Sequence, residues 1–234
     1  MVFTKDTRKD IVEWDVENWW NFIDFINHSN VDFKGKRILD IGGRNGGLSL
    51  YCALVGGAEI LCTDKLPPSP KAIVLHHRYG VSDKVRYEQM NVTAIPDKYK
   101  NYFDIVVFKS VIGSVEAHGD ANSGRLMSEN IKKVLKPGGI LFFSENLKAT
   151  KIHQLLRKSN EFTWVYQDRN SIHALFSNME MMDEKYFGFL GCFCRNAKVR
   201  HVLSTMDKLL NRIIPASWKY IGAYHYKKPV ADDR

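Results

Sequence analysis

The segment Arg37–Ile41 (RILDI) followed by Gly42-Gly43-Arg44-Asn45-Gly46-Gly47 constrains this chain more than any other. A short apolar run of strand character enters a turn with four glycines in six positions, and the apolar run Leu48–Val55 after it reads as a helix closing at Gly56-Gly57. A strand that feeds a Gly-rich turn opening a helix is a ligand cradle, because small residues let backbone N–H groups approach a bound molecule. It also commits the chain to layered α/β architecture, since the next parallel strand must be reached through a crossover.

The remaining apolar runs supply that sheet. Ile60–Thr63, Val85–Met90, Asp104–Phe108 and Ile140–Ser144 read as strands, and Asp104–Phe108 is continuously apolar after its first residue, as a strand buried on both faces should be. Arg125–Leu135 places Leu126, Ile131, Val134 and Leu135 on a helical stripe, stopped by Pro137-Gly138-Gly139. Between Arg8 and Asn27, the spacing of Ile11, Trp14, Trp19, Phe22, Ile23 and Ile26 predicts one N-terminal helix. Tyr186–Phe193 and Trp218–Tyr226 read as late strands. Between them Val199, Val202, Leu203, Met206, Leu209, Leu210, Ile213 and Ile214 form a helical stripe halted by Pro215. That apolar face is expected to pack on the body, with Lys198, His201, Lys208 and Arg212 outward. Residues 147–185 are ambiguous between helix and irregular chain and suit part of a substrate lid.

Hydrophobic residues at 44% and charged ones at 26% exclude a disordered or collagen-like chain. The 34 Lys+Arg against 26 Asp+Glu give +8, and the excess is local. From Arg195 to Lys228 there are eight basic residues and one acid, Asp207, for +7, whereas residues 1–194 carry only +2. This segment suits an anionic substrate, a membrane surface or nucleic acid, or else a solvated helix face. No apolar run approaches the roughly 20 residues of a membrane span. The first residues lack the apolar core of a secretory signal. Cys52, Cys62, Cys192 and Cys194 form no CxxC pair, so a cytosolic protein with reduced thiols is expected.

The cradle itself discriminates among ligands. A dinucleotide turn needs Gly at relative positions 0, 2 and 5. Counting from Gly42, position 2 is Arg44, which would crowd a pyrophosphate, and Asp40 at the strand end would repel one. An acid there suits a ligand with a cationic end, such as the amino group of S-adenosylmethionine.

At these residues the chain resembles the class I S-adenosylmethionine-dependent methyltransferases. Asp40–Gly46 resembles their motif I, Phe103–Ser110 their motif IV, and Leu135–Leu141 their late turn-and-strand motif. The resemblance covers residues 36–146 and extends by topology to 226. It implies an α/β fold with a doubly wound, mostly parallel seven-stranded sheet, an N-terminal helix and a helical insertion before the last strand. With no internal boundary visible, 1–234 is expected as one domain: a helical lid at 1–34, a cofactor-binding core at 35–146 and substrate-side elements at 147–234.

It also implies S-adenosyl-L-methionine as cofactor, held by Asp40, Gly42, Gly43, Arg44, Asn45 and Gly46 at the first turn. Asp64, with Lys65, follows the second strand, where a carboxylate accepts both ribose hydroxyls. Asn91 and Val92 stand at the adenine position, and Lys109 and Ser110 after the fourth strand. Arg44 occupies the family's middle glycine and Asn91 its usual acid, with an amide oxygen still able to accept.

Several acceptors are disfavoured. Lys109-Ser110-Val111-Ile112 replaces the Asn/Asp-Pro-Pro-Tyr sequence of adenine amino-methylating enzymes. No Cys between 62 and 192 could serve cytosine C5 chemistry, and no acidic cluster suggests a divalent metal site. A hydroxyl acceptor with protein base assistance leads, and amines come next. His118, Glu145 and His153 are the candidate bases, against surface, capping and helix-surface roles respectively. His76 and His77 read as structural. Trp14, Trp19 and Trp20 suit either a lid or helix anchors, and Tyr220, Tyr224 and Tyr226 sheet packing.

The segments Trp14–Trp19, Gly43–Leu50, Ser144–Leu147 and Ile214–Tyr220 are similar to bacterial methyltransferases associated with surface-polysaccharide biosynthesis. That implies a small-molecule or glycan acceptor, lipid-linked and anionic, and peripheral contact with the inner membrane face. The alternatives are an RNA methyltransferase using the basic segment, for which no added RNA-binding module is visible, and a catalytically silent cofactor-binding partner protein.

Overall fold

A computed structural model describes residues 2–157, 163–194 and 196–230; Arg195, the first of the basic segment, lies outside them. Seven strands form one sheet: β1 Arg37–Ile41, β2 Glu59–Asp64, β3 Val85–Gln89, β4 Phe103–Lys109, β5 Leu135–Asn146, β6 Glu180–Phe187 and β7 Ile221–Lys227. Their order is β3-β2-β1-β4-β5-β7-β6, with β7 antiparallel to both neighbours and the rest parallel. The order reverses between β1 and β4, so the C-terminal ends of those strands frame the crevice where ligands bind in such sheets.

The helices are α1 Lys5–Val12, α2 Val16–His28, α3 Gly47–Leu54, α4 Pro70–Arg78, α5 Ile112–His118, α6 Ser123–Val134, α7 Lys151–Arg157, α8 Arg169–Leu175 and α9 Ala197–Leu210. On one face of the sheet, α2 buries Trp19, Phe22 and Ile26 with Tyr51 and Phe142. On the other, Phe143 stacks between Phe108 at 4.6 Å and Tyr224 at 4.9 Å, over Met127 and Ile131 of α6. Aromatic side chains this large supply most of the apolar area removed from water.

Four sequence expectations need correction. The single N-terminal helix is two, broken where Glu13 and Asp15 take positive φ of 69° and 46°. Pro137-Gly138-Gly139 does not stop a helix before the strand; it lies inside β5, beside an irregularity in the β4–β5 register. The late strands are β6 at Glu180–Phe187 and β7 at Ile221–Lys227, with Gly191–Phe193 and Ala216–Trp218 forming 3-10 turns instead. Finally, α9 is rotated relative to its apolar stripe. Lys198, His201, Lys208 and Arg212 are outward as expected and Leu203, Leu210 and Ile214 are half-buried, but the rest of the stripe is not packed on the body. Ser204 and Asp207 are the helix's buried residues, while Val202, Met206 and Leu209 face water.

The rotation has a clear cause. Asp207 accepts hydrogen bonds from Asn18 Nδ2 at 2.9 Å, Leu190 N at 2.8 Å and Gly191 N at 3.0 Å, and Ser204 Oγ donates to Asp15 at 2.5 Å. Buried main-chain donors and a buried Asn need these partners more than the body needs further apolar cover.

Candidate active site

The crevice at the sheet's switch point has a volume of about 1080 Å³. Gly42, Arg44 and Asn45 of the glycine turn and Asp64 at the end of β2 line one side. Lys109 and Ser110, where β4 ends, and Asn146, where β5 ends, line the middle. Trp14 and Asp15 at the α1–α2 break, Arg157, Trp164, Arg200 and Tyr220 close the other side.

The glycine turn is built for close approach. A Cβ on Gly43 would lie 2.7 Å from both Asp40 Oδ2 and Cys62 Sγ, and one on Gly46 would lie 2.5 Å from the His76 ring. Gly46 also takes φ +82° as it opens α3, a conformation only glycine adopts without strain. His76 Nε2 contacts the Gly46 carbonyl at 2.8 Å and Nδ1 meets the Tyr87 hydroxyl, which is the structural role expected for it.

Asp40 is buried at the floor of the turn. One oxygen accepts from Ser49 Oγ at 2.6 Å, while Oδ1 has no hydrogen-bond partner among the described residues. Burial pushes its carboxyl up to about 7, partly offset by the Ser49 hydrogen bonds. An orphaned buried carboxylate oxygen beside a stripped glycine turn fits a ligand bearing a cationic group. Asp40, Gly42, Gly43 and Lys109 share a small inner recess with Glu13 that opens toward this turn. The residues present therefore fit S-adenosylmethionine, which Asp40, the glycine turn and Asp64 could hold.

Lys109 enters the same recess from β4. Its ammonium donates to the Val12 carbonyl at 2.7 Å and lies 5.7 and 5.3 Å from the centroids of Trp14 and Trp19. Burial lowers it to about 8, against the opposing pull of Glu13 and Asp40. Trp14 thus forms part of the crevice wall at 42% exposure, whereas Trp19 and Trp20 are buried anchors of α2.

Asp15 and Tyr220 form the far wall. Tyr220 Oη donates to Asp15 Oδ2 at 2.6 Å and receives Asn18 Nδ2 at 2.9 Å. Burial raises the Asp15 carboxyl, against hydrogen bonds from Ser204, Tyr220 and Asn18. Arg157 stands alongside, its Nη2 held by the carbonyls of Leu147 at 2.9 Å and Lys148 at 2.7 Å.

The structure brings Gly42, Arg44, Asn45, Asp64, Lys109 and Ser110 to the crevice, with Asp40, Gly43 and Gly46 supporting the turn. It does not bring the other expected residues there. Lys65 is exposed, and its carbonyl accepts from Gln89 at 3.0 Å. Asn91 has its amide oxygen occupied by Thr93 N at 3.1 Å and Thr93 Oγ1 at 3.0 Å, capping a 3-10 turn, and Val92 is buried in the core.

The three candidate bases are also displaced. Glu145 Oε2 accepts from Val111 N at 3.0 Å and Ile112 N at 2.8 Å, and Oε1 from Asn146 N at 2.9 Å. It caps the N-terminus of α5, with burial raising it to about 7. His153 is fully buried, with Thr150 Oγ1 at 2.6 Å on Nδ1 and the Phe189 carbonyl at 2.8 Å on Nε2. His118 is exposed at the far end of α5, bonded to the Ser114 carbonyl at 2.9 Å. About 1.5 Å of rise per residue carries it some 9 Å from the strand end.

The residues that sequence reasoning missed as site residues are Asp15, Asn146, Arg157, Trp164 and Tyr220. For Asn146 a signal existed: successive strand residues face opposite ways, so choosing Glu145 chose the wrong face. For Asp15 and Tyr220 none did, because their pairing spans 205 residues.

Comparison with known proteins agrees with this geometry. The family described as "Methyltransferase domain" matches residues 21–183, more than two thirds of the chain. The fission yeast (Schizosaccharomyces pombe) ribosomal protein arginine N-methyltransferase rmt3 is 28% identical over 152 residues, 59% of this chain, so the alignment spans only 25% of that protein. Among solved structures, the [4+2]-cyclase SpnF superposes with TM-score 0.64 at 17% identity, over 92% of this chain and 82% of its own. Haemonchus contortus phosphoethanolamine N-methyltransferase 2, solved with S-adenosyl-L-methionine, gives TM-score 0.62 at 16% identity, over 90% of this chain and 53% of its own. The structural likenesses speak for the fold, and SpnF illustrates that the fold alone does not fix the reaction. The family match, the seven-stranded sheet and the cradle around Asp40 converge: the chain belongs to the methyltransferase-domain family, and S-adenosylmethionine is its cofactor.

Proposed function

We propose that this protein transfers a methyl group from S-adenosylmethionine to a hydroxyl of a neutral or anionic acceptor, a sugar or glycan intermediate being the first class to test. The observation that carries the reading is that Asp15, hydrogen-bonded to Tyr220, lines the same crevice as Gly42 and Asp64. When bound, the cofactor supplies an electrophilic methyl group, so the protein's task is positioning and proton removal.

The chain's own residues divide that task. Asp40 and the glycine turn hold one end of the cofactor and Asp64 another. The α1–α2 break, with Trp14 over Lys109, screens the recess from water. Asp15, raised by burial, takes the acceptor proton, and Tyr220 fixes its carboxylate. Trp164 lines the crevice, with its Nε1 buried against Gly113 of α5, so its contribution to the acceptor is shape and apolar contact.

An arginine acceptor, as named for the fission yeast relative, would bring a guanidinium cation into a crevice already lined by Lys109, Arg157 and Arg200. Arg44 and Lys71 add to these cations, against Glu13, Asp15 and Asp64, so the crevice lining carries an excess of positive charge that opposes a cation more than a neutral or anionic acceptor. The sugar assignment is supported further by the aromatic faces of Trp14, Trp164 and Tyr166 and by the resemblance to polysaccharide-associated enzymes. RNA as acceptor has the basic segment in its favour and is one arm of the test.

The test is a calorimetric titration with S-adenosylmethionine and its demethylated product, with NAD as control, followed by transfer of labelled methyl to sugar nucleotides, lipid-linked glycans, an arginine peptide and RNA. Label in a glycan hydroxyl supports the reading. Label in peptide arginine or RNA, with none in glycans, overturns the acceptor, and failure to bind the cofactor overturns the activity.

A further inference from the structure

The outward side of α9 and the turn after it carry an apolar row beside the exposed polar residues Lys198, His201, Thr205 and Lys208. Val202, Met206, Leu209 and Ile213 are 58%, 50%, 73% and 77% exposed, and Val199 continues the row. The spacing of three, four and three residues keeps Val199, Val202, Met206 and Leu209 on one side of α9, and Ile213 extends the row into the turn that follows it. The helix does not need this face to fold onto the body, because Ser204 and Asp207 on the opposite side make that contact. A second apolar surface lies beside it. Ile152 and Leu155 of α7 are exposed at 62% and 72%. Both helices flank the turn at Leu190–Cys194: Asp207 holds its amides, and His153 of α7 packs on Phe193. Exposed Trp218 stacks on Phe189 at the same end. Apolar side chains exposed in this number around one end of the molecule mark an interaction site.

The charges identify the occupant. The one acid of α9, Asp207, is buried and consumed by hydrogen bonds, and α7 has none. The exposed cations Lys198 and Arg212 lie along one edge of the stripe, and Lys151 begins α7. Lys208 turns back to Glu17. A second copy of this chain docked face to face would set these cations against one another, since an isologous contact pairs identical patches. An anionic lipid surface complements both features at once: cations for headgroups, and Leu, Ile and Trp for the boundary below them.

We propose that α9, with α7 and Trp218, seats this end of the protein on an anionic bilayer. Leu156, Cys192 and Arg200 of the same elements line the crevice, so docking would place its acceptor side at the lipid surface. The proposal stands independently of which atom is methylated, and its readout is membrane binding rather than turnover.

Vesicle cosedimentation of the full chain tests it, with phosphatidylcholine alone and with phosphatidylcholine plus phosphatidylglycerol. The expected result is binding to the anionic vesicles that weakens as salt rises. Leu209→Ser with Ile213→Ser should lower that affinity about tenfold or more. Lys198→Glu with Arg212→Glu should lower it by at least about fivefold per position. Both variants should keep the wild-type melting temperature and cofactor affinity, since every substituted side chain is exposed. No sedimentation with anionic vesicles, or unchanged binding by both variants, overturns the proposal. So does a dimer in sedimentation velocity that Leu209→Ser with Ile213→Ser dissolves while vesicles are ignored, which would assign the stripe to a second copy.

Discussion

Tyr220 Oη donates to Asp15 Oδ2 at 2.6 Å, tying the residue just before β7 to the residue just before α2. Asn18 bridges the pair to Asp207 of α9. One buried network therefore sets the positions of the α1–α2 break, the Tyr220 side of the crevice and α9 together. Removing a single member leaves partners unsatisfied, which costs about 1–3 kcal/mol for each buried polar group.

Asp15→Asn keeps the shape of this pair but removes the proton acceptor. Turnover should fall about 10²–10⁴-fold, the usual contribution of a general base, with cofactor affinity by calorimetry within about twofold of wild type. Tyr220→Phe should lower turnover less and shift the pH–rate profile, because Asp15 loses a donor that favours its charged form. Full activity in Asp15→Asn would remove it as the base.

Cofactor binding should depend on pH through Asp40. Its folded carboxyl is raised from 3.8 to about 7, so the folded protein binds this proton more tightly than the unfolded chain. The contribution of Asp40 to stability is therefore greatest in acid and declines as pH rises from about 4 to about 7. A ligand that needs the carboxylate binds with the opposite trend, weakening by up to about tenfold per unit as pH drops below 7. Asp40→Asn should abolish both pH dependences and weaken cofactor binding at pH 8; the check is calorimetry and thermal melting across pH 5–8 on the two proteins.

Gly43→Ala puts a methyl group 2.7 Å from Asp40 Oδ2 and Cys62 Sγ. Both neighbours are buried and held, so the turn must move, costing about 1–3 kcal/mol. Cofactor affinity should fall well beyond what that loss of stability explains. Wild-type affinity at a temperature where the variant is folded would show that the turn is not the cradle.

The three residues first chosen as bases should behave as structural or neutral positions. His153→Ala removes a packed ring with both nitrogens engaged and should lower stability by about 2–4 kcal/mol. Glu145→Gln should weaken the α5 cap by about 1–2 kcal/mol. His118→Ala should change stability by less than about 0.5 kcal/mol and leave turnover intact. Melting curves and rates on the three variants separate these outcomes.

The parts that the sequence carried were those with local causes. Arg37–Ile41 is β1 to the residue, and the run at Asp104–Phe108 is β4 short of one residue at each end, because apolar continuity and flanking turns are written locally. The glycine turn was legible for the same reason. The grouping of Asp15, Arg157 and Tyr220 at the crevice was not, since they converge only through tertiary packing. The rotation of α9 was hidden because a periodic apolar stripe carries no label for which side faces the core. Only the demand of Asn18, Leu190 N and Gly191 N for partners decides it.

The last strand in the chain, β7, lies between β5 and β6 and not at an edge. Until it inserts, β5 and β6 have no pairing with each other, and Tyr220 just before it cannot reach Asp15. Closing the sheet and completing the crevice are consequently one event. A ligand held there will slow amide exchange in β7, where opening requires the sheet to part, as well as in the loops it touches.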